Sequence, residues 1–324
     1  MSRASRPFQV RRVDSPQGLA ALELEWAQLA AAVSPRTPFG TPAWATLWWR
    51  HFAERRVLIR DEFFVHTLSD DTGRLVAVAP LVLTHRPGVG AASLRTIQFF
   101  GADPNVTELR GMICRPEDER AAVAALSTHL AAHAKEWDWF KWSGIRDADV
   151  WTALAPGLRV DGISSTPDYV LALPNTWEEF RSLLSRNIKE SLRKCYNSLR
   201  RDGHSFTFRV VGSPADARGA MERFLDLHAV RARAIGTVAH GDVFARQRSR
   251  AFLFDYADRM AEVGSLRVFE LEIRGVVVAT RLGFQFGDEL YLYFSGYDTA
   301  WGRYSVMTTV LSEAIQWAIA RGLK

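Results

Sequence analysis

The chain has 324 residues, 48% hydrophobic and 11% aromatic, with 24% charged residues and a net charge of +5 at pH 7. This composition excludes an intrinsically disordered chain, and the length suits about two domains. No apolar run reaches the roughly 18 residues that span a bilayer, and Cys114 and Cys195 are too few and too isolated for a disulfide framework.

The N-terminus, MSRASRPFQVRRVDS, is basic but lacks the apolar stretch of a signal peptide, so a cytoplasmic protein is expected. Both thiols are expected as small buried hydrophobes. The first twelve residues are expected to be loose. Spacing predicts a helix over 15–33 with Leu22, Trp26 and Leu29 inward. Thr41-Pro42 opens a second helix through about Phe52, since Thr caps and Pro suits a first turn. Trp44, Trp48 and Trp49 lie on it and read as core, or as a face that stacks on a sugar or acyl chain. Strands follow over 62–68 and 75–83, joined by Asp70, Asp71 and Gly73. After a loop, 94–100 reads as a strand, 117–135 as an Ala-rich helix and 139–142 as a short strand. His129 and His133 stand at i, i+4 on that helix, but no third ligand is evident and no metal is expected.

The order then restarts, which predicts two halves, 1–165 and 166–324, from a weak internal duplication. Tyr169, Val170, Leu171 and Leu173 read as a strand. Thr176 and Glu179 have capping-box spacing and start a long helix to about residue 203. Trp177, Phe180, Leu183, Leu184, Ile188, Leu192, Cys195 and Leu199 form its expected buried stripe. Between 181 and 201 there are seven bases and one acid, so this segment carries +6 in a chain of +5. Arg186, Lys189, Arg193 and Lys194 on its outer face predict an anionic partner: a phosphate, a charged lipid surface or nucleic acid. Further on, 205–211 reads as a strand, 214–235 and 243–262 as helices, and 266–273, 276–286 and 289–297 as three strands. Arg274-Gly275 and Gly287-Asp288 are two-residue hairpin turns, each with a Gly. A loop, DTAWGRY, feeds a helix over 306–320, which Gly322 suits as a cap. Neither a G-x-G-x-x-G after a strand nor a P-loop lysine is present, which argues against hydride transfer and nucleotide hydrolysis.

Four stretches together resemble the CelD-like acetyltransferases of the wider GNAT superfamily, relatives of the FemAB-type transferases. They are DYVLAL…TWEEFRSLLSRNIKESLRKCYNSLRRDG, FLDLHAVRARAIGT with its Leu-His-x-x-Arg helix, GVVVATRLGFQFGDELYLYFSGYD, and WGRYSVMTTVLSEAIQWAIARG. The likeness runs from 166 to 322 and is faint before that. It implies an α/β (α+β) fold of two GNAT-like halves, each a mixed, mainly antiparallel central sheet flanked by helices. The first half would be degenerate and the second would hold the acyl-CoA site. Two departures stand out. Ser305-Val306-Met307 replaces a Ser-Pro-Gly that is frequent in the family, and the family's closing strand, commonly Asp-Phe-x-x-Gly, is not found before Lys324. A chain without that strand is expected to be a fragment, or to have an open sheet edge.

The resemblance implies transfer from acetyl-CoA or a longer acyl-CoA to an amine or hydroxyl of a sugar, amino acid or lipid-like acceptor. The cofactor diphosphate would sit on Arg303, Tyr304, Ser305, Val306 and Met307, where a helix N-terminus without first-turn acids attracts anions. An ordinary strand–helix loop would look the same. Backbone N–H groups at Phe294, Ser295 and Gly296 would polarise the thioester, with Gly296 allowing close approach or a bulge; Gly296 could equally ease a bend. His228, Tyr297, Asp298 and Tyr304 are the expected acid and base residues, although a His on an apolar helix and a Tyr-Asp in a loop also read as structural. Glu270 alternates with Glu272 on a strand and is expected in the acceptor cleft. The alternatives are a FemAB-like transferase using charged tRNA, with the basic helix as its RNA footprint, and a non-catalytic binding module. Peripheral contact with an anionic membrane fits the same helix.

Overall fold

The structure, a computed structural model, describes residues 8–88, 93–103, 105–141, 143–146, 150, 167–234 and 241–324. Contacts divide the chain into two units, Met1–Asp168 and Tyr169–Lys324. The boundary expected near 165 falls outside the described residues.

In the first unit, the residues expected to be loose include a strand, β1 (Gln9–Val13). It is short and basic, so its apolar alternation is weak. Arg12 holds it in place, bonding Glu62 at 2.6 Å and Glu136 at 3.0 Å and lying over the Phe64 ring. The helix expected over 15–33 is two helices, α1 (Pro16–Ala21) and α2 (Glu23–Ala31), which meet at Leu22. Helix α3 (Pro42–Phe52) starts at Thr41, whose side chain accepts the Trp44 N–H. Trp44 and Trp48 are buried, and Trp49 packs edge-on to Phe63.

Each strand of the long hairpin is interrupted. One gives β2 (Arg60–Phe63) and β3 (Val65–Ser69); the other gives β4 (Leu75–Ala79) and β5 (Leu81–Pro87). Pro80 has no N–H to donate, and Phe64 donates to the Leu81 carbonyl, so the hairpin passes from one sheet to the next. The remaining elements are β6 (Ser93–Phe99), β7 (Ile113–Cys114), α4 (Pro116–Ala132) and β8 (Trp139–Phe140). The sheets run β1-β3-β4-β7 and β2-β5-β6-β8, antiparallel except for β6 with β8. Val123, Leu126 and Leu130 of α4 pack on Phe64, Leu81, Ile97 and Phe99. His66 is buried beside His129, with ring centroids 5.2 Å apart, and His133 follows at 4.3 Å from His129. Among the described residues no group of side chains is arranged to hold a metal ion.

In the second unit, residues 167–174 form no strand, and Tyr169, Val170 and Leu171 are exposed. The expected long helix is two, α5 (Trp177–Leu183) and α6 (Arg186–Arg201). Thr176 and Glu179 do form the capping box, but Ser185 starts a new helix by accepting the Ile188 N–H. The break splits the expected stripe. Phe180, Cys195 and Leu199 are buried, whereas Leu183 and Ile188 face out.

Then come β9 (Phe206–Val211), α7 (Pro214–Ala232), α8 (Gln247–Glu262), β10 (Leu266–Ile273), β11 (Val276–Phe286), β12 (Glu289–Tyr297), a 3-10 turn (Thr299–Tyr304) and α9 (Val306–Ala320). The last three residues of the 224–237 stretch and the loop after it fall in 235–240, outside the described residues. The sheet order is β12-β11-β10-β9, antiparallel throughout. Arg274 and Gly275 both have positive φ, as a tight hairpin between twisted strands requires. Helix α7 covers one face of the sheet, with α8 beside it; α9 covers the other, joined by α6. Phe269, Leu271, Val278 and Ala279 form the α9-side core with Val306, Val310 and Leu199. No described helix is long and apolar enough to cross a membrane. The fold is mixed α/β, with mainly antiparallel sheets flanked by helices.

Candidate active site

The end of β12, the 3-10 turn and the start of α9 bring most of the expected site residues together. Arg281 pairs with Ser295, but Gly283 pairs with Leu292, so a single residue of β11, Leu282, opposes both Tyr293 and Phe294. The extra residue is a bulge on β12. A bulge leaves backbone groups outside the ladder and increases local twist. Among the described residues β12 has no strand on its far side.

Helix α7 lies tightly against this bulged segment. A Cβ on Gly296 would stand 2.3 Å from the His228 nitrogen and 2.5 Å from the Leu227 carbonyl carbon. Gly296 is therefore required by helix–strand contact, a reason that neither cofactor approach nor an eased bend had supplied. His228 is buried, and its Nδ1 donates to the Ser295 carbonyl at 3.0 Å. Phe224, Phe244 and Phe294 surround its ring, and Asp242 lies 3.9 Å from Nε2. These contacts make His228 a tie between α7 and β12, which accounts for the residue without a role as base. Arg231, one turn later, reaches the Ser295 hydroxyl at 2.5 Å. Ser295 is opposite Arg281, and Arg281 is opposite Phe269 of the α9-side core. Cross-strand partners share a face, so the Arg231 guanidinium comes round the β12 edge from the α7 side. Burial pushes its pKa below the usual arginine value, and Tyr297 nearby opposes that shift.

Tyr297 is half-buried, and its hydroxyl would lie 4.0 Å from a Cβ on Gly302 of the turn. Asp298 caps that turn by accepting the Ala300 N–H at 3.0 Å, and its own N–H bonds Val278. It is a turn former, the simpler of its two readings. Tyr304 is buried, and its hydroxyl is fully used. It accepts from Arg303 at 2.6 Å and from His204 at 3.2 Å, and donates to Asp202 at 3.0 Å. With both lone pairs and the proton committed, it anchors the turn to the end of α6 and does not suit the acid role. The bond to Asp202 joins that of Arg201 in holding this carboxyl down to about 2.

Ser305 is in the left-handed conformation, φ 53°, and α9 starts directly after it. No acid occupies the first turn of α9. The Thr308 and Thr309 N–H groups turn back to the Ser305 carbonyl, and those of Val306 and Met307 are the first-turn donors left to meet an anion. Arg303 is exposed at the same end. These features fit a phosphate-bearing cofactor.

Two acceptor-side expectations come out differently. Glu270 is fully buried, held by Arg223 at 2.7 Å and Arg209 at 3.1 Å under α7. Its side of β10 is covered by the helix, so it lines no cleft. On α6, Arg186 pairs with Glu190 and Lys189 bonds the Ser182 carbonyl. Arg193, Lys194 and Arg200 are exposed and make no ion pair among the described residues. Sequence reading overlooked Arg200 as a binding residue and Arg231 altogether; the only signal for Arg231 was its place in Leu-His-x-x-Arg. Tyr196 and Cys195 dock α6 on α9: the Tyr196 hydroxyl donates to Glu313 at 2.7 Å, and Cys195 is buried with its pKa raised by burial.

No curated protein matches the chain. Among solved structures, FemX is similar at 11% identity with a TM-score of 0.57, over 97% of this chain and 86% of that one, which shows a shared fold. A tandem GNAT protein from the clavulanic acid biosynthesis pathway matches at 9% identity and a TM-score of 0.41, over 97% of this chain and 87% of that one. In sequence, residues 186–324, which contain every element of this site, match the family described as acetyltransferase (GNAT) domain.

Proposed function

We propose that the second unit is an acyltransferase that uses acetyl-CoA or a longer acyl-CoA and acylates an amine or hydroxyl of a sugar, amino acid or lipid-like acceptor. The observation that carries this reading is the bulge at Tyr293–Phe294 on an edge strand that runs directly into an acid-free helix N-terminus. Bound acyl-CoA supplies a thioester carbonyl at which a C–N or C–O bond replaces the C–S bond. The Val306 and Met307 N–H groups and Arg303 hold the diphosphate. A backbone N–H freed at the bulge donates to the carbonyl oxygen as charge grows there. Tyr297 is assigned the proton for the leaving sulfur, because its hydroxyl faces the turn while that of Tyr304 is spent; the proton lost by the acceptor amine or hydroxyl passes to solvent, from which Tyr297 is reprotonated. His228 and Arg231 position Ser295 and keep the bulged segment in register.

Calorimetric titration of the full chain tests this. Acetyl-CoA and CoA should bind, and Arg303→Gln should weaken both about tenfold, as loss of one charge-assisted contact does. Tyr297→Phe should keep binding and lower turnover. No heat with either ligand would remove the proposal. A rise of the unfolding midpoint with tRNA and none with CoA would favour the aminoacyl-tRNA reading instead.

A further inference from the structure

The first unit contains a cleft of about 240 Å³ between the end of α2, the 34–40 turn, β7 and the first turn of α4. Its floor is apolar, with Phe39 and Ile113, and its walls carry Arg36, Arg110 and Arg146 against a single acid, Glu119, among the described lining residues. Arg36 bonds the Ala31 carbonyl and Arg146 pairs with Asp168 at 2.9 Å. Arg110 is different. Its Nη1 donates to the neutral Ser143 hydroxyl at 2.6 Å, and its Nε is buried with no hydrogen-bond partner among the described residues.

Asp103 is the charge that acts on Arg110 favourably, yet its carboxylate is occupied. One oxygen accepts the Val106 and Thr107 N–H groups, and the other accepts the Thr107 hydroxyl and the Trp48 indole N–H. A guanidinium partly removed from water without a carboxylate partner is unfavourable. Such a group is retained at lower cost where a ligand supplies the missing anion.

We propose that this cleft binds a small organic oxyanion, a carboxylate or phosphate on a short apolar body, with the anionic group on Arg110 and the body on the Phe39–Ile113 floor. A guanidinium fork suits either oxyanion in a bidentate pair. The site lies wholly in the first unit and does not depend on the transferase reading of the second.

The test uses the full chain at constant ionic strength, with hexanoate, its neutral isostere hexanamide, and inorganic phosphate as probes. Hexanoate or phosphate should raise the unfolding midpoint and hexanamide should not. A response to hexanoate alone identifies a carboxylate ligand, and a response to phosphate alone a phosphate. Either response should weaken at least about tenfold in Arg110→Gln and persist in Arg120→Ala, an exposed control on α4. Phenylglyoxal labelling of Arg110 in the unmodified protein, read by peptide mass spectrometry, should be suppressed by the binding anion; this arm holds even if Arg110→Gln fails to fold. No response to either anion, equal binding by Arg110→Gln, or labelling of Arg110 unaffected by the bound anion would overturn the site.

Discussion

Gly296 of β12 meets the backbone of His228 on α7 so closely that a Cβ would stand 2.3 Å from the His228 nitrogen. Backbone cannot swing aside as a flexible side chain can. Gly296→Ala should therefore push α7 off the sheet and destabilise the second unit by about 3 kcal/mol, the upper range for overpacking. Urea unfolding monitored by circular dichroism checks this. A loss within about 0.5 kcal/mol, the usual range for a tolerated substitution, would mean that the helix is free to shift.

Glu270 gives a second prediction, because its buried carboxylate joins Arg223 and Arg209 across the α7 side of the sheet. Glu270→Gln leaves shape nearly unchanged but removes the charge from both contacts. Both arginines are partly exposed and can recover water, so the expected cost is about 1–3 kcal/mol. CoA affinity should not change. A variant with normal stability and lost acceptor turnover would return Glu270 to the acceptor site.

Some of this architecture could be read from residues alone, for identifiable reasons. The three strands from Leu266 to Tyr297 were placed to the residue, because β-branched and aromatic runs are separated by Gly-containing two-residue turns. The last helix was placed equally well from its periodicity. The break at Ser185 was not foreseen, because Leu183, Leu184 and Ile188 continue the helical spacing while a local serine cap ends it. Residues 169–173 have strand composition, but strand formation requires a partner, and composition does not reveal one. At the site, the stretch from Phe294 to Met307 could be marked by its order. The roles within it could not, since they depend on side-chain partners: Tyr304 is spent on Asp202, Arg303 and His204, and Arg231 reaches Ser295 from 64 residues away in sequence.

Helix α6 supports a third prediction. We propose that its outer face meets an anionic group, on the acceptor or at an anionic membrane surface. Arg193, Lys194 and Arg200 are exposed and make no ion pair among the described residues. The double variant Arg193→Ala, Lys194→Ala should lose co-sedimentation with phosphatidylglycerol vesicles, or acceptor binding, while keeping CoA binding. Wild-type binding should also fall with added salt, since exposed charges are screened within about 10 Å at 0.1 M. Binding that ignores both changes would leave α6 as a solvated face.

The fourth prediction concerns pH and the first unit. Burial pushes His66 down from 6.5 to about 4; the bond from its Nδ1 to the Phe64 carbonyl opposes this, while His129, Arg12 and His133 add to it. In the unfolded chain His66 takes up its proton near pH 6.5, and in the folded chain only near 4. Between these values the unfolded state binds more protons, so the contribution is fully present above about 6.5 and is lost as pH falls toward 4. The loss amounts to about 3 kcal/mol at its full extent. His129 has its own pKa lowered, first by burial and then by His133, so it adds a smaller slope of the same sign. His66→Gln cannot titrate, and its amide can still donate to Phe64. It should flatten most of the acid-side decline measured by urea unfolding at stepped pH, and His129→Gln should flatten less of it. An unchanged decline in His66→Gln would assign the proton uptake to other groups. Burial is the first cause in both imidazoles, so each variant removes its own burial contribution together with the repulsion between the pair.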